Sequence, residues 1–243
     1  MTLVTAYDYP TGRLLDEAGV DIVLVGDSLG MVVLGFPDTT HVTLDHMLHH
    51  VEATARGVKN ALLVGDMPIH SYDTVEQAVQ SAKKLFLAGA DAVKLEGGAA
   101  QAGNIRAIVE AGIPVVGHIG LLPQKVLGEG GYKIKGKSSA EEEALVRDVE
   151  AVAEAGACAV VVEGVTPHAA RQVTVHSSIP TLGIGSGSHT CDGDVVVIHD
   201  LVGAFPWFIP AFVKPRADVA GSMTAAVKEW MEDCYTEPGS ISS

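Results

Sequence analysis

The chain has 243 residues and a formal net charge of −14, from 30 acidic against 16 basic side chains, which argues against nucleic acid or an anionic membrane as a partner. It is 47 % hydrophobic but only 5 % aromatic, a balance that suits a Val/Ile/Leu sheet covered by helices better than a β-sandwich. No run of about 18 apolar residues is present, and Cys158, Cys191 and Cys234 form no C-x-x-C pair, so the chain reads as soluble, cytoplasmic and without a disulfide framework.

Taken in chain order, short apolar runs predict strands near 3–7, 21–26, 61–65, 92–96, 114–118, 159–163 and 181–184, with an eighth at 194–199 or around 211–214. A phrase recurs ahead of several of them. Ala18-Gly19, Ala88-Gly89, Ala111-Gly112 and Ala155-Gly156 each precede an apolar run, as where a helix ends on a left-handed glycine and a strand follows. Between strands the period changes to that of a helix: Val75, Ala78, Val79, Ala82 and Phe86 follow Thr74-x-x-Gln77, and Leu145, Val149 and Val152 follow Ser139-x-x-Glu142. Alternating βα units in this number predict a single (β/α)₈ TIM barrel over 1–243, with a doubly wound open sheet as the lesser option. The Gly- and Lys-rich stretch 123–140 reads as a long βα loop or lid.

The strand ends are unusually polar: Asp27-Ser28, Asp66, Lys94 with Glu96, His118 and Glu163. In barrel enzymes the chemistry sits at those ends, and charges gathered there are costly unless paired or bound to metal. Each carboxylate alone could be a helix cap or an ion pair; the set converging on one mouth reads as a site. Carboxylates without cysteine select a hard cation such as Mg²⁺, which a 2-keto acid can chelate while a C–H beside its carbonyl is removed to give an enolate. The reaction needs a base and a cation for the substrate carboxylate. Glu163 and Lys94 fit those tasks, although the residues alone leave open which carboxylate is the base.

Three patterns invite other readings. Gly26-Asp27-Ser28-Leu29-Gly30 is a literal G-x-S-x-G, but the run after it is a poor helix, which disfavours a hydrolase elbow. His46 and His50 lack the H-E-x-x-H pattern and read as a solvated helix face. Lys133, Lys135 and Lys137 alternate in the lid and read as solvated, with an anionic ligand tail as the second option.

Six ordered segments carry a specific resemblance: Thr5-Ala6-Tyr7-Asp8, Gly26-Asp27-Ser28-Leu29-Gly30-Met31, Lys94-Leu95-Glu96-Gly97-Gly98, Gly117-His118-Ile119-Gly120-Leu121 with Pro123-Gln124, Gly130-Gly131-Tyr132-Lys133, and Cys191-Asp192-Gly193. Along nearly the whole chain they resemble the ketopantoate hydroxymethyltransferase family, also called 3-methyl-2-oxobutanoate hydroxymethyltransferase. The resemblance implies a barrel of the phosphoenolpyruvate/pyruvate type. It also implies transfer of a one-carbon unit from 5,10-methylenetetrahydrofolate to 3-methyl-2-oxobutanoate, giving 2-dehydropantoate for pantothenate and coenzyme A synthesis through a metal-stabilised enolate. By the same resemblance Asp27, Asp66 and Glu96 fall on Mg²⁺ positions. Asp27, Ser28, Asp66, Lys94 and His118 fall on substrate positions, Glu163 matches the base, and the assembly is a homo-oligomer, a decamer. The segment before the first strand is short for that family. A lyase or mutase of the same barrel superfamily, or a non-catalytic barrel, are the competing readings.

Overall fold

A computed structural model describes residues 1–236. Eight parallel strands close into a barrel in the order in which they occur: β1 Thr2–Thr5, β2 Ile22–Val25, β3 Leu62–Asp66, β4 Ala92–Glu96, β5 Val115–Gly120, β6 Ala159–Glu163, β7 Thr181–Ile184 and β8 Gly193–Val196. Closure is explicit in the register, because Leu3 of β1 faces Ile22 of β2 on one side and Val195 of β8 on the other. This settles barrel against open sheet, and it places the eighth strand at the first of the two expected sites. The alternative stretch around 211–214 contains no strand; Val213 there donates back to the carbonyl of Pro210 in a turn.

The helices are α1 Tyr9–Glu17, α2 Leu29–Val32, α3 Leu44–Ala55, α4 Val75–Leu87, α5 Ala102–Glu110, α6 Val126–Glu129, α7 Ser139–Glu154, α8 Pro167–His176, α9 Ile198–Leu201 and α10 Val219–Thr236. The repeated glycines end helices as the sequence predicts, with φ of 80° at Gly19, 112° at Gly89, 85° at Gly112 and 96° at Gly156. Two local expectations shift. On α4 the buried stripe is Ala78, Ser81, Ala82 and Leu85, whereas Val75 and Phe86 are exposed. Small residues let the helix lie close on the sheet, so the stripe is narrow and the bulky Phe86 stays outside it. The cap of α7 sits one residue early: the Ser138 side chain accepts from the Glu141 amide, and the Glu141 carboxylate accepts from the amide of Lys137.

Alternate residues of the strands fill the barrel. Leu3, Leu24, Val64, Ala92, Val116, Val161 and Leu182 pack into one buried apolar cluster. Outside the barrel, buried Asp16 at the end of α1 accepts from the amides of Asn60 and Ala61 at 2.8 Å each and from the Asn60 side chain at 2.9 Å, tying α1 to the start of β3. Those amides, Ala61 foremost and then Asn60, hold its carboxyl down at about 2. Because the folded value is depressed, this stabilisation is present above about pH 4 and is lost as pH falls toward about 2. Asp16→Ala is expected to cost about 2–3 kcal/mol near neutral pH by orphaning two amides. In thermal melts the deficit should shrink below pH 4 while turnover stays unchanged; equal melting temperatures at pH 7 would refute it.

The contacts of the chain gather into two compact units, Met1–Val197 and Ile198–Ser243, where the sequence reading treats 1–243 as one domain. The barrel lies wholly in the first. In the second, α9 and α10 are joined by a loop whose Arg216 and Val219 amides donate to the carbonyls of Leu201 and Val202. This unit exposes Trp207, Phe208, Phe212 and Trp230. Among the described residues no helix is long and apolar enough to cross a membrane.

Candidate active site

The polar side chains predicted at the strand ends stand directly on the apolar plug. Val64 is followed two residues later by Asp66, Ala92 by Lys94 and then Glu96, Val116 by His118, and Val161 by Glu163. The two-residue period of a strand therefore turns the same inward-facing column from apolar to charged as it nears the mouth. Parallel register does the rest: Asp66 lies beside Lys94, Glu96 beside His118, and Gly120 beside Glu163.

The Lys94 ammonium bridges both carboxylate oxygens of Asp66 at 2.7 Å. The backbone amide of Asp27, two residues beyond the end of β2, donates to Asp66 Oδ2 at 3.3 Å. His118 is buried between two carboxylates, its Nδ1 3.4 Å from Glu96 and its Nε2 3.2 Å from Glu163. Neither ring nitrogen is aligned for a hydrogen bond. Glu163 is the most open of the mouth's carboxylates, with 24 % of its side chain exposed. Its backbone is pinned, because the Leu121 amide donates to its carbonyl at 2.8 Å. That approach requires glycine next door: Gly120 has φ of 96°, and a Cβ there would come within 2.2 Å of the same Glu163 carbonyl oxygen.

Four carboxylates share this mouth with one lysine, and burial penalises Asp27 and Glu96. It pushes the Asp27 carboxyl up to about 7, with the negative charge of Asp66 adding to the effect. Burial, then Asp27, raises Glu96 well above the usual range. Burial alone would lower Lys94, but Asp66 and Asp27 outweigh it and hold the ammonium charged.

Two residues with no role in the sequence reading join the carboxylates. Gln124, in the turn Pro123–Lys125 after β5, donates its side-chain amide to Asp27 Oδ2 at 2.9 Å and its backbone amide to Glu96 Oε1 at 2.9 Å. Tyr72, in the loop after β3, donates to Gln124 Oε1. A third, Tyr7, meets Ser28: their hydroxyls lie 2.8 Å apart. Ser28 has ordinary helical backbone angles at the start of α2, not those of a strained elbow, so the G-x-S-x-G match has no hydrolase geometry behind it. His46 and His50 are not a solvated face as expected. His46 Nδ1 accepts from the Thr43 amide in a capping box, and His50 Nδ1 lies 2.6 Å from the Tyr7 carbonyl. In the lid Lys133 donates to the Glu129 carbonyl and Lys135 pairs with the Glu129 carboxylate. Lys135 is half-buried there, whereas Lys133 and Lys137 are exposed, as the sequence reading has them.

The donor chemistry fits a hard divalent cation. The oxygens of Asp27, Asp66 and Glu96 stand where burial and mutual repulsion disfavour their charged forms, with the Lys94 ammonium bound to Asp66 beside them. Among the described residues no three His, Cys, Asp or Glu side chains are arranged to hold an ion unaided. Mg²⁺ commonly keeps several waters and takes one or two carboxylates plus its substrate, so the arrangement suits it.

A parallel barrel with an acid-rich mouth defines a class of enzyme, and its fold has solved counterparts. Phosphoenolpyruvate phosphomutase from Streptomyces platensis subsp. rosaceus superposes with a TM-score of 0.68 at 19 % identity, covering 98 % of this chain and 87 % of that one. 2,3-Dimethylmalate lyase, a PEP mutase/isocitrate lyase superfamily member, gives 0.63 at 19 % identity over 100 % and 86 %. Sequence narrows the class. The pattern of the ketopantoate hydroxymethyltransferase family matches residues 1–238. The 3-methyl-2-oxobutanoate hydroxymethyltransferase of Ignicoccus hospitalis is 50 % identical over 234 residues, 96 % of this chain and 88 % of that protein. That of Moorella thermoacetica is 50 % identical over 96 % and 87 %. The chain belongs to the ketopantoate hydroxymethyltransferase family.

Proposed function

We propose that the barrel mouth enolises 3-methyl-2-oxobutanoate and joins its C3 to a one-carbon unit. The activity is 3-methyl-2-oxobutanoate hydroxymethyl transfer, a step of pantothenate biosynthesis, carried by family membership and about half of all positions identical along 96 % of the chain. The observation that carries the route is the arrangement of Lys94, Asp66, Glu96, His118 and Glu163 on one inward face over an apolar floor.

Lys94 gives the keto acid its counter-charge, with Ser28 and His118 completing the pocket. Glu163, open enough to meet substrate, takes the C3 proton. The C–H electron pair moves into the C2–C3 bond while the carbonyl π pair moves onto oxygen. Water cleaves both C–N bonds at the methylene carbon of 5,10-methylenetetrahydrofolate, each nitrogen keeping the electron pair and taking one proton from the water, which frees the carbon as formaldehyde. C3 attacks that carbon, and the formaldehyde oxygen takes back the proton held by Glu163 to become the hydroxymethyl group. Asp27 and Asp66, with Glu96 beside them, would hold Mg²⁺, which supplies Lewis acidity at the keto oxygen. We also read the protein as one cytoplasmic, catalytic barrel assembled into a homo-oligomer, a decamer. The apolar side chains exposed beyond Ile198 support assembly, and its free cysteines suit a reducing compartment.

Proton NMR of 3-methyl-2-oxobutanoate in D₂O tests the route without folate. The C3 proton signal is expected to decay with protein and Mg²⁺ and to persist with chelator, while product forms only once methylenetetrahydrofolate is added. No exchange from folded, Mg²⁺-supplied protein would refute the enolate route.

A further inference from the structure

Gln124 is carried by the turn after β5 and not by a strand end, and its side chain is nonetheless buried. Both ends of its side chain and its backbone amide are committed. The side-chain nitrogen donates to Asp27 Oδ2 at 2.9 Å and to the Met67 carbonyl at 3.0 Å, and the backbone amide donates to Glu96 Oε1 at 2.9 Å. The side-chain oxygen accepts from the Tyr72 hydroxyl at 2.5 Å.

A primary amide can turn end for end, presenting either NH₂ or oxygen to a neighbour. Beside Asp27 the second orientation would set oxygen against a carboxylate. The Met67 carbonyl, which can only accept, fixes the NH₂ toward itself and Asp27, and the Tyr72 hydroxyl donates to the oxygen on the far side. Gln124 thereby fills one oxygen of Asp27 and one of Glu96 from a single residue, fixing how both carboxylates are turned. Outer partners of this kind orient metal-binding carboxylates.

We propose that Gln124, oriented by Tyr72, is a positioning residue that aims Asp27 and Glu96 at the divalent cation. The proposal rests on the cation reading of the site given above. A filler role for Gln124 would lower stability when it is removed but leave cation affinity alone; a positioning role moves the affinity itself. The second, longer contact of the Tyr72 hydroxyl is to the Glu96 backbone carbonyl at 3.4 Å and touches neither carboxylate, so Tyr72 acts on the carboxylates through Gln124 and the two losses should not add.

The test is a titration of the purified full chain with Mn²⁺, reading free ion by electron paramagnetic resonance, with keto acid and without turnover. Wild type, Tyr72→Phe, Gln124→Met and the double variant are compared, with melting temperatures alongside. Each single change is expected to weaken Mn²⁺ binding about 10–100-fold. The double variant should bind no more weakly than Gln124→Met. Tyr72→Phe removes only a hydroxyl and decides the case by itself should Gln124→Met fail to fold. Affinities within twofold of wild type, or a Tyr72→Phe loss that adds in full to that of Gln124→Met, would overturn the positioning role. A wild-type chain that binds no Mn²⁺ would overturn the cation reading itself, and this proposal with it.

Discussion

Glu163→Gln is expected to slow C3 proton exchange of 3-methyl-2-oxobutanoate by about 10²–10⁴-fold, the usual loss for a missing general base. The substitution keeps size and shape but replaces the basic carboxylate with a neutral amide too weakly basic to take the proton. The keto acid should still bind within a few-fold of wild type, since Lys94 and the remaining carboxylates are untouched. Stability should move by no more than about 0.5 kcal/mol, because the side chain is partly open and has no aligned hydrogen bond to lose. Exchange rates and a calorimetric keto acid titration give the two readings separately. Unchanged exchange would transfer the base role to another carboxylate of the mouth.

Lys94→Met acts on the fold as much as on the chemistry. Lys94 and Asp66 are both buried, and removing the ammonium leaves a carboxylate among other carboxylates with nothing to offset it. Breaking a buried pair from one side costs about 3–5 kcal/mol. At roughly 2–4 °C for each kcal/mol in a domain of this size, the melting temperature should drop by about 6–20 °C. Lys94→Met combined with Asp66→Leu should recover much of that loss, since an apolar pair of similar volume replaces a buried ion pair at little cost. Neither variant should turn over substrate. A double variant less stable than Lys94→Met would show that the pair does more for the fold than cancel charge.

Much of this is legible in the sequence because the barrel repeats its grammar. A glycine cap, a short apolar run and a polar strand end recur, so Asp66, Lys94, Glu96, His118 and Glu163 can be placed before any coordinates. Strand alternation even orders them, as Lys94 and Glu96 must share a face. The eighth strand is less legible, since Gly193–Val196 is short and pairs with β7 at only Leu182↔Gly193 and Gly183↔Asp194. Gln124 carries no chemistry visible from its type. Its meaning comes from Asp27, 97 residues away, and Glu96, 28 residues away, and no local pattern encodes such distances. His50 fails to read as structural for the same reason, because its partner is a backbone carbonyl 43 residues off. Local period places elements; long-range hydrogen bonds assign the partners.

The apolar plug under the charged layer has a consequence for the order of arrivals. Water and ions reach the carboxylates from one side only, so the mouth behaves as an insulated cup whose excess acidity no counter-charge relieves from below. A lone anion drifting in meets that field at full strength. A cation would meet the opposite, and held by Asp27 and Asp66 it would offset that field for the keto acid. On the proposed route the encounter is expected to be sequential, ion first and substrate second.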